Sequence, residues 1–100
     1  MNLRLVPRAL GEAKRIKTWW RENRPDAPDL FEQELDAALE RISARPSSVG
    51  TLYEQGDLGS PVRRVLLRKT RNHVYFAVEG EEIVVVSIWG APKERGPKLE

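Results

Sequence analysis

The thirty residues from Val62 to Ala91, VRRVLLRKTRNHVYFAVEGEEIVVVSIWGA, constrain the fold more than any other part of the chain. They fall into three apolar-rich runs, about Val62–Thr70, His73–Glu79 and Glu82–Trp89. Valine, isoleucine and aromatic residues dominate them, as suits a pleated surface that is at least half buried. The breaks at Arg71-Asn72 and Gly80-Glu81 are long enough only for hairpin loops, so the three runs are predicted to be adjacent antiparallel strands. The first run carries Arg63, Arg64, Arg68 and Lys69, the turn after it adds Arg71, and no acid intervenes before Glu79. A hairpin loaded with one sign of charge repels itself, and such a cluster usually faces an anionic partner. These five cations are therefore candidate binding residues.

Upstream the periodicity changes from two to about 3.6. Asn2–Val6 alternates briefly and stops at Pro7, which suits a short strand leading into a helix with proline in its first turn. Leu10, Ala13, Ile16 and Trp20 recur at helical spacing and predict a first helix from about Arg8 to Asn23. Arg24-Pro25 ends it, because the residue before a proline avoids the helical region. Asp26 is the predicted N-cap of a second helix, with Pro28 in its first turn and Asp29 near the positive end of its dipole. Phe31, Leu35, Ala38, Leu39 and Ile42 form the apolar stripe of that helix, which ends at Arg45-Pro46. The short link RPDAP folds the two helices into an antiparallel hairpin. Residues 47–61, SSVGTLYEQGDLGSP, are turn-rich and predict a loop with at most a short strand. Residues 92–100 read as a polar tail.

Composition sets the class. One hundred residues form one domain, residues 1–100, with enough chain for a two-layer core that needs no metal or disulfide. There are no cysteines, which excludes a disulfide scaffold, a thiol nucleophile and cysteine-ligated zinc. Arg4, Pro7 and Arg8 interrupt the N-terminal stretch, so no secretory signal is predicted. The longest wholly aliphatic run, Ile83–Val86, is far shorter than the roughly 20 residues of a spanning helix. The expectation is a soluble cytoplasmic protein without a cofactor or a metal. Net charge is only +2, but it is laid out in blocks. Residues 1–25 hold seven Lys/Arg against Glu12 and Glu22, residues 26–60 hold eight acids against Arg41 and Arg45, and residues 61–78 are purely basic. Such blocks suggest one basic face and one acidic helix surface; for the second helix, the simpler reading is a solvated face that pairs with opposite charge across the fold.

Strand parity sorts the side chains further. One face collects Val65, Leu67, Val74, Phe76, Val78, Val84, Val86 and Ile88 and is predicted to cover the helix hairpin. The other presents Arg64, Leu66, Arg68, His73, Tyr75, Ala77, Val85, Ser87 and Trp89. Arginine, histidine, tyrosine and tryptophan side by side make that face a plausible phosphate- or nucleotide-contacting surface. The sorting assumes regular strands, and one bulge exchanges faces beyond it. Trp19 and Trp20 are expected to be core and helix-packing residues.

In order along the chain come Trp19-Trp20, Arg24-Pro25, Ala27-Pro28, Phe31, the strand pair VRRVLL and TRNHVYFAV, then IWGA and GPKL. This series, spanning about Leu3 to Leu99, resembles the RelE/ParE superfamily of toxins from type II toxin–antitoxin modules, and specifically its ParE-like branch. The resemblance implies an α+β fold, β-α-α-β-β-β, with a helix hairpin packed on one face of a twisted antiparallel sheet. It implies a cognate antitoxin, a small DNA-binding protein with a flexible neutralising segment, and a toxin–antitoxin hetero-oligomer. ParE-like members are understood to block DNA gyrase without doing chemistry. On that reading Arg63, Arg64, Arg68, Lys69, Arg71, Trp89, Lys93 and Arg95 are contact residues for target or antitoxin. RelE-like members instead cut messenger RNA on the ribosome, which would cast Arg64, Arg68, His73 and Tyr75 as catalytic candidates. Cleaving members often carry a further His or Tyr near the end of the last strand, where this chain reads Trp89-Gly90-Ala91. That departure favours a protein that is not an enzyme. A toxin-like binding module without toxicity is the third possibility.

Overall fold

The computed structural model describes residues 2–53 and 60–90. In chain order the elements are β1 (Asn2–Leu5), α1 (Pro7–Asn23), α2 (Leu30–Ala44), β2 (Thr51–Tyr53), β3 (Val62–Leu67), β4 (Asn72–Glu79) and β5 (Glu82–Gly90). The strands form one sheet in the order β1-β5-β4-β3-β2. β3 with β4 and β4 with β5 are antiparallel, as their short connections require. The sheet as a whole is mixed rather than purely antiparallel, because β1 lies parallel to β5. Alternation reports which side chains face the core, not which way a strand runs, so the direction of β1 was not readable. Thr51–Tyr53 adds the short fifth strand, antiparallel to β3.

Helix α1 starts with Pro7 in its first turn, after Val6 in extended geometry, as proline's fixed φ and missing N–H favour. Its inward stripe is Ala9, Glu12, Ala13, Ile16 and Trp20. Leu10, assigned to that stripe from spacing, is instead 47% exposed, a quarter-turn away. Trp19 also departs from expectation: it is 47% exposed and meets Trp20 edge-on at 5.8 Å. The Arg24 guanidinium lies 5.5 Å from the Trp19 ring centre, so a cation covers part of the exposed indole.

The cap of α2 is Asp29, not Asp26, and its side chain makes no capping hydrogen bond. A cap at Asp26 would put Ala27 in the helical region directly before Pro28, where the proline ring clashes with it. The chain makes two tight turns instead, closed by Ala27 N–H donating to the Arg24 carbonyl and Leu30 N–H to the Ala27 carbonyl. Phe31, Leu35, Ala38 and Ile42 of α2 are buried against the sheet. The two helices run antiparallel, shown by ion pairs that join Lys17 to Glu32 and Arg21 to Asp29. The basic and acidic blocks of the sequence thus partly neutralise each other here. Lys17 holds the Glu32 carboxyl below the usual range for glutamate.

The main core lies between the helices and one sheet face, with Val65, Leu67, Val74, Phe76, Ile83, Val85 and Ile88 supplied by the sheet. Strict alternation had placed Val84 and Val86 there. In the register Tyr75 pairs with Ser87 and Phe76 with Val85, which leaves Val86 as an extra residue in a β-bulge. Faces therefore switch within β5. Ile83 and Val85 join the main core, while Val86 packs on the far side with Val62, Tyr75 and Ala77.

Two helix carboxylates fasten this arrangement, and neither was singled out in the sequence. Glu12, 5% exposed, accepts hydrogen bonds from the Ser87 hydroxyl at 2.8 Å and the Ile88 N–H at 3.0 Å, just past the bulge. Glu34 accepts from the Lys69 N–H at 2.8 Å, the Thr70 N–H at 3.0 Å and the Thr70 hydroxyl at 2.6 Å. It thereby satisfies backbone donors of the β3–β4 turn, which a loop would otherwise leave to water. Replacing Glu34 with Ala is expected to cost about 1–2 kcal/mol in urea unfolding and to speed amide exchange at Thr70. Unchanged exchange at Thr70 would mean that the carboxylate does not hold the turn.

Candidate functional site

The basic hairpin divides into three kinds of cation. Arg63 is turned inward: its Nε donates to the Val49 carbonyl at 3.1 Å and its Nη2 to the Gly50 carbonyl at 2.8 Å. It closes the 49–50 turn onto β3. Arg64 points to the far face, 5.1 Å from the ring centre of Tyr53. Arg68, Lys69 and Arg71 lie in the turn, because β3 ends at Leu67 rather than at Thr70. Arg68 thus loses the strand parity expected of it. Arg71 takes a left-handed φ of 63°, and its N–H donates to the Leu67 carbonyl at 2.8 Å.

The far face is less open than its sequence suggests. Tyr75 sits on it as expected but is only 1% exposed, with Tyr53 of β2 packed edge-on at 4.7 Å. Burial raises the Tyr75 phenol above its ordinary pKa of 10.0, and Arg64 opposes that shift only in part. The hydroxyl therefore stays protonated at neutral pH. Trp89 is half-buried at the edge of the same cluster, with the Arg8 guanidinium 5.9 Å from its ring centre. Arg8 in turn lies 3.5 Å from Glu12, so this corner is tied to the carboxylate that holds the bulge.

His73 is half-buried, opposite Leu66 on β3 and Trp89 on β5, and its ring centre is 5.9 Å from that of Tyr75. Desolvation, then the charges of Arg64 and Arg71, hold its pKa below the ordinary 6.5. The imidazole is neutral at pH 7. Because the unfolded chain binds this proton more readily, stability contributed at neutral pH is lost as pH falls through 6.5 toward the lowered native value. Replacing His73 with Gln is expected to flatten the stability profile below pH 6.5. Identical acid-limb slopes for the two proteins would contradict this reading.

Arg64, Arg68, Lys69 and His73 come together around one open groove of about 570 Å³ between the C-terminal half of α2 and the outer side of β3. Arg41 of α2 joins them, although it was not a candidate. Its one available signal was its place as the basic residue in the last turn of an otherwise acidic helix, where a cation complements the dipole. Arg63, Arg71, Tyr75 and Trp89 do not line the groove. Lys93 and Arg95 lie outside the described residues. Among the described residues no His/Asp/Glu cluster could hold a metal ion, and no helix is long and apolar enough to cross a membrane.

The architecture, a helix pair on one face of a mixed five-stranded sheet with β1 beside the last strand, is the RelE/ParE-like α+β fold. It is shared with a solved structure described as "Chromosomal ParDE TA system from P. aeruginosa". The superposition has a TM-score of 0.63 at 17% identity and covers 90% of this chain and 95% of that one. No protein-family model and no curated protein matches the sequence.

Proposed function

We propose that this chain is the toxin of a type II toxin–antitoxin module, acting in the cytoplasm by inhibiting DNA gyrase and neutralised by a cognate antitoxin in a hetero-oligomer. The observation that supports the proposal is the likeness in fold to a chain of the ParDE assembly, over 90% of this chain and 95% of that one. Fold alone does not fix an activity, so the choice of target rests on the site. Cleavage of RNA through its 2′-hydroxyl needs a group to take a proton, cations for the phosphate and a donor for the leaving oxygen. His73 and Arg64 could serve two of these needs. The third is unmet by Tyr75, whose side chain is buried beneath Tyr53. The last strand ends in Trp89-Gly90, and residues 91–100 contain neither His nor Tyr. An incomplete acid–base set beside intact cations suits a protein that binds its target without transforming it.

The reading gives a mutational signature. Replacing His73 with Ala is expected to leave growth inhibition nearly intact. Replacing Arg64, Arg68 or Arg71 with Ala should weaken target or antitoxin binding, with a smaller dependence on salt than the parent protein shows. A ribosome-dependent endoribonuclease would behave in the opposite way, losing about 10²–10⁴ in cleavage with His73→Ala. If expression without the neighbouring reading frame leaves growth untouched, the chain is a toxin-like binding module and the toxin reading fails.

A further inference from the structure

Helix α2 ends at Ala44, and past that point a second, smaller pocket opens on the sheet. Leu52, Arg63 and Phe76 stand opposite one another across β2, β3 and β4, so their side chains share one face. With Pro46, Pro61 and Val78 they line an open pocket of about 200 Å³. Phe76 is wholly buried, while Leu52 is 57% exposed at the rim. Apolar surface is thus left against water, and a ligand of matching chemistry would cover it. One charge lies in this apolar row, Arg63. Its Nε and Nη2 each give a hydrogen to the Val49 and Gly50 carbonyls, so two of the five guanidinium donors are engaged and three remain. Among the described residues no carboxylate pairs with Arg63.

We infer that this pocket binds a small apolar carboxylate, with the acid group on Arg63 and the hydrocarbon chain against Leu52, Pro61 and Phe76. Volume sets the first limit. A water-sized group fills about 30 Å³ of liquid, so the pocket holds roughly seven or eight non-hydrogen atoms. Charge sets the second. One guanidinium forks onto one carboxylate, whereas a phosphate would bring further charge that no other cation of the lining meets. A purely apolar ligand would cover the remaining Arg63 donors and leave them unpaired. The site is separate from the basic groove, since no residue lines both. It also has a consequence for the fold. Leu52 belongs to β2, and Arg63 holds the 49–50 turn that leads into it, so an occupied pocket fastens β2 to β3. The small acid would thereby act as an effector that steadies this edge of the sheet, whatever the protein's target.

The test is a titration of the isotope-labelled chain with hexanoate, with hexanol as the uncharged control and N-acetyl-leucine as a mimic of a peptide C-terminus. Hexanoate is expected to shift the amides of Leu52, Arg63 and Val78 and to bind about tenfold or more tightly than hexanol. At about ten times its Kd it should slow amide exchange across β2 by about tenfold. Leu52→Glu changes an exposed rim position and sets a carboxylate beside Arg63, so it should weaken hexanoate by about tenfold or more while the remaining spectrum stays native. Equal binding of hexanoate and hexanol would overturn the inference, as would shifts centred on the groove beside α2 or none at millimolar concentration. Tighter binding of N-acetyl-leucine would overturn it in favour of a peptide terminus. Pocket shifts that follow protein concentration alone would overturn it in favour of a second copy of the chain. None of these outcomes depends on gyrase or on toxicity, so failure here and failure of the toxin reading are separable.

Discussion

Replacing Glu12 with Ala is expected to destabilise the fold by about 3 kcal/mol, the largest single effect among the polar residues of this protein. The carboxylate is buried where α1 crosses β5, and three groups depend on it. The Ser87 hydroxyl and the Ile88 N–H lose their acceptor, and Arg8 loses its counter-charge. Both β5 donors are themselves buried, so the loss is a desolvation penalty that water does not repay. The Ile88 N–H matters most. It follows the extra residue Val86, where the ladder is interrupted and an outside acceptor is wanted. Glu12→Gln keeps an acceptor oxygen and should cost only about 1 kcal/mol. Urea unfolding of the two variants checks the account, and equal losses would show that acceptance by Glu12 is not what holds the bulge.

The second large effect is expected at Gly50. An alanine there meets the Arg64 carbonyl oxygen at 2.1 Å and the Arg64 carbonyl carbon at 2.8 Å, both backbone atoms of a paired strand. Neither can rotate aside as a side-chain tip could. The left-handed φ adds about 1 kcal/mol for any residue with a Cβ. The turn must therefore open, which frees the two carbonyls bound by Arg63 and peels β2 from the edge. We expect Gly50→Ala to lower stability by about 3 kcal/mol, or to leave β2 exchanging its amides freely while β3–β5 remain protected. Full protection of Leu52 with native stability would show that Gly50 is not what holds β2 to the edge.

Much of this architecture was legible because apolar periodicity is a strong signal where a whole face is buried. The helix hairpin, the β3–β4–β5 meander and the inward set Val65, Leu67, Val74 and Phe76 followed from it. Failures came where a single residue breaks the period. Leu10 has helical spacing with Ala13, but Ala9 takes the inward position and leaves Leu10 to solvent. Val86 shifts the parity of β5, and an all-valine stretch gives no hint of which residue is extra. The cations were readable as a cluster, but their roles were not. Arg63 spends its charge on two carbonyls of its own loop, while Arg41 reaches the groove from a different element. Glu12 had a faint signal, an acid set between Ala9 and Ala13 on the inward stripe, which only a partner on β5 could explain.

Gyrase poisoning and messenger cleavage are separated by one paired assay on the purified chain. It is incubated with gyrase and plasmid DNA in one reaction and with translating ribosomes in the other. Blocked supercoiling or accumulated cleaved plasmid, with messenger RNA left whole, is the expected result. Codon-positioned cuts in the messenger with gyrase unaffected would contradict it.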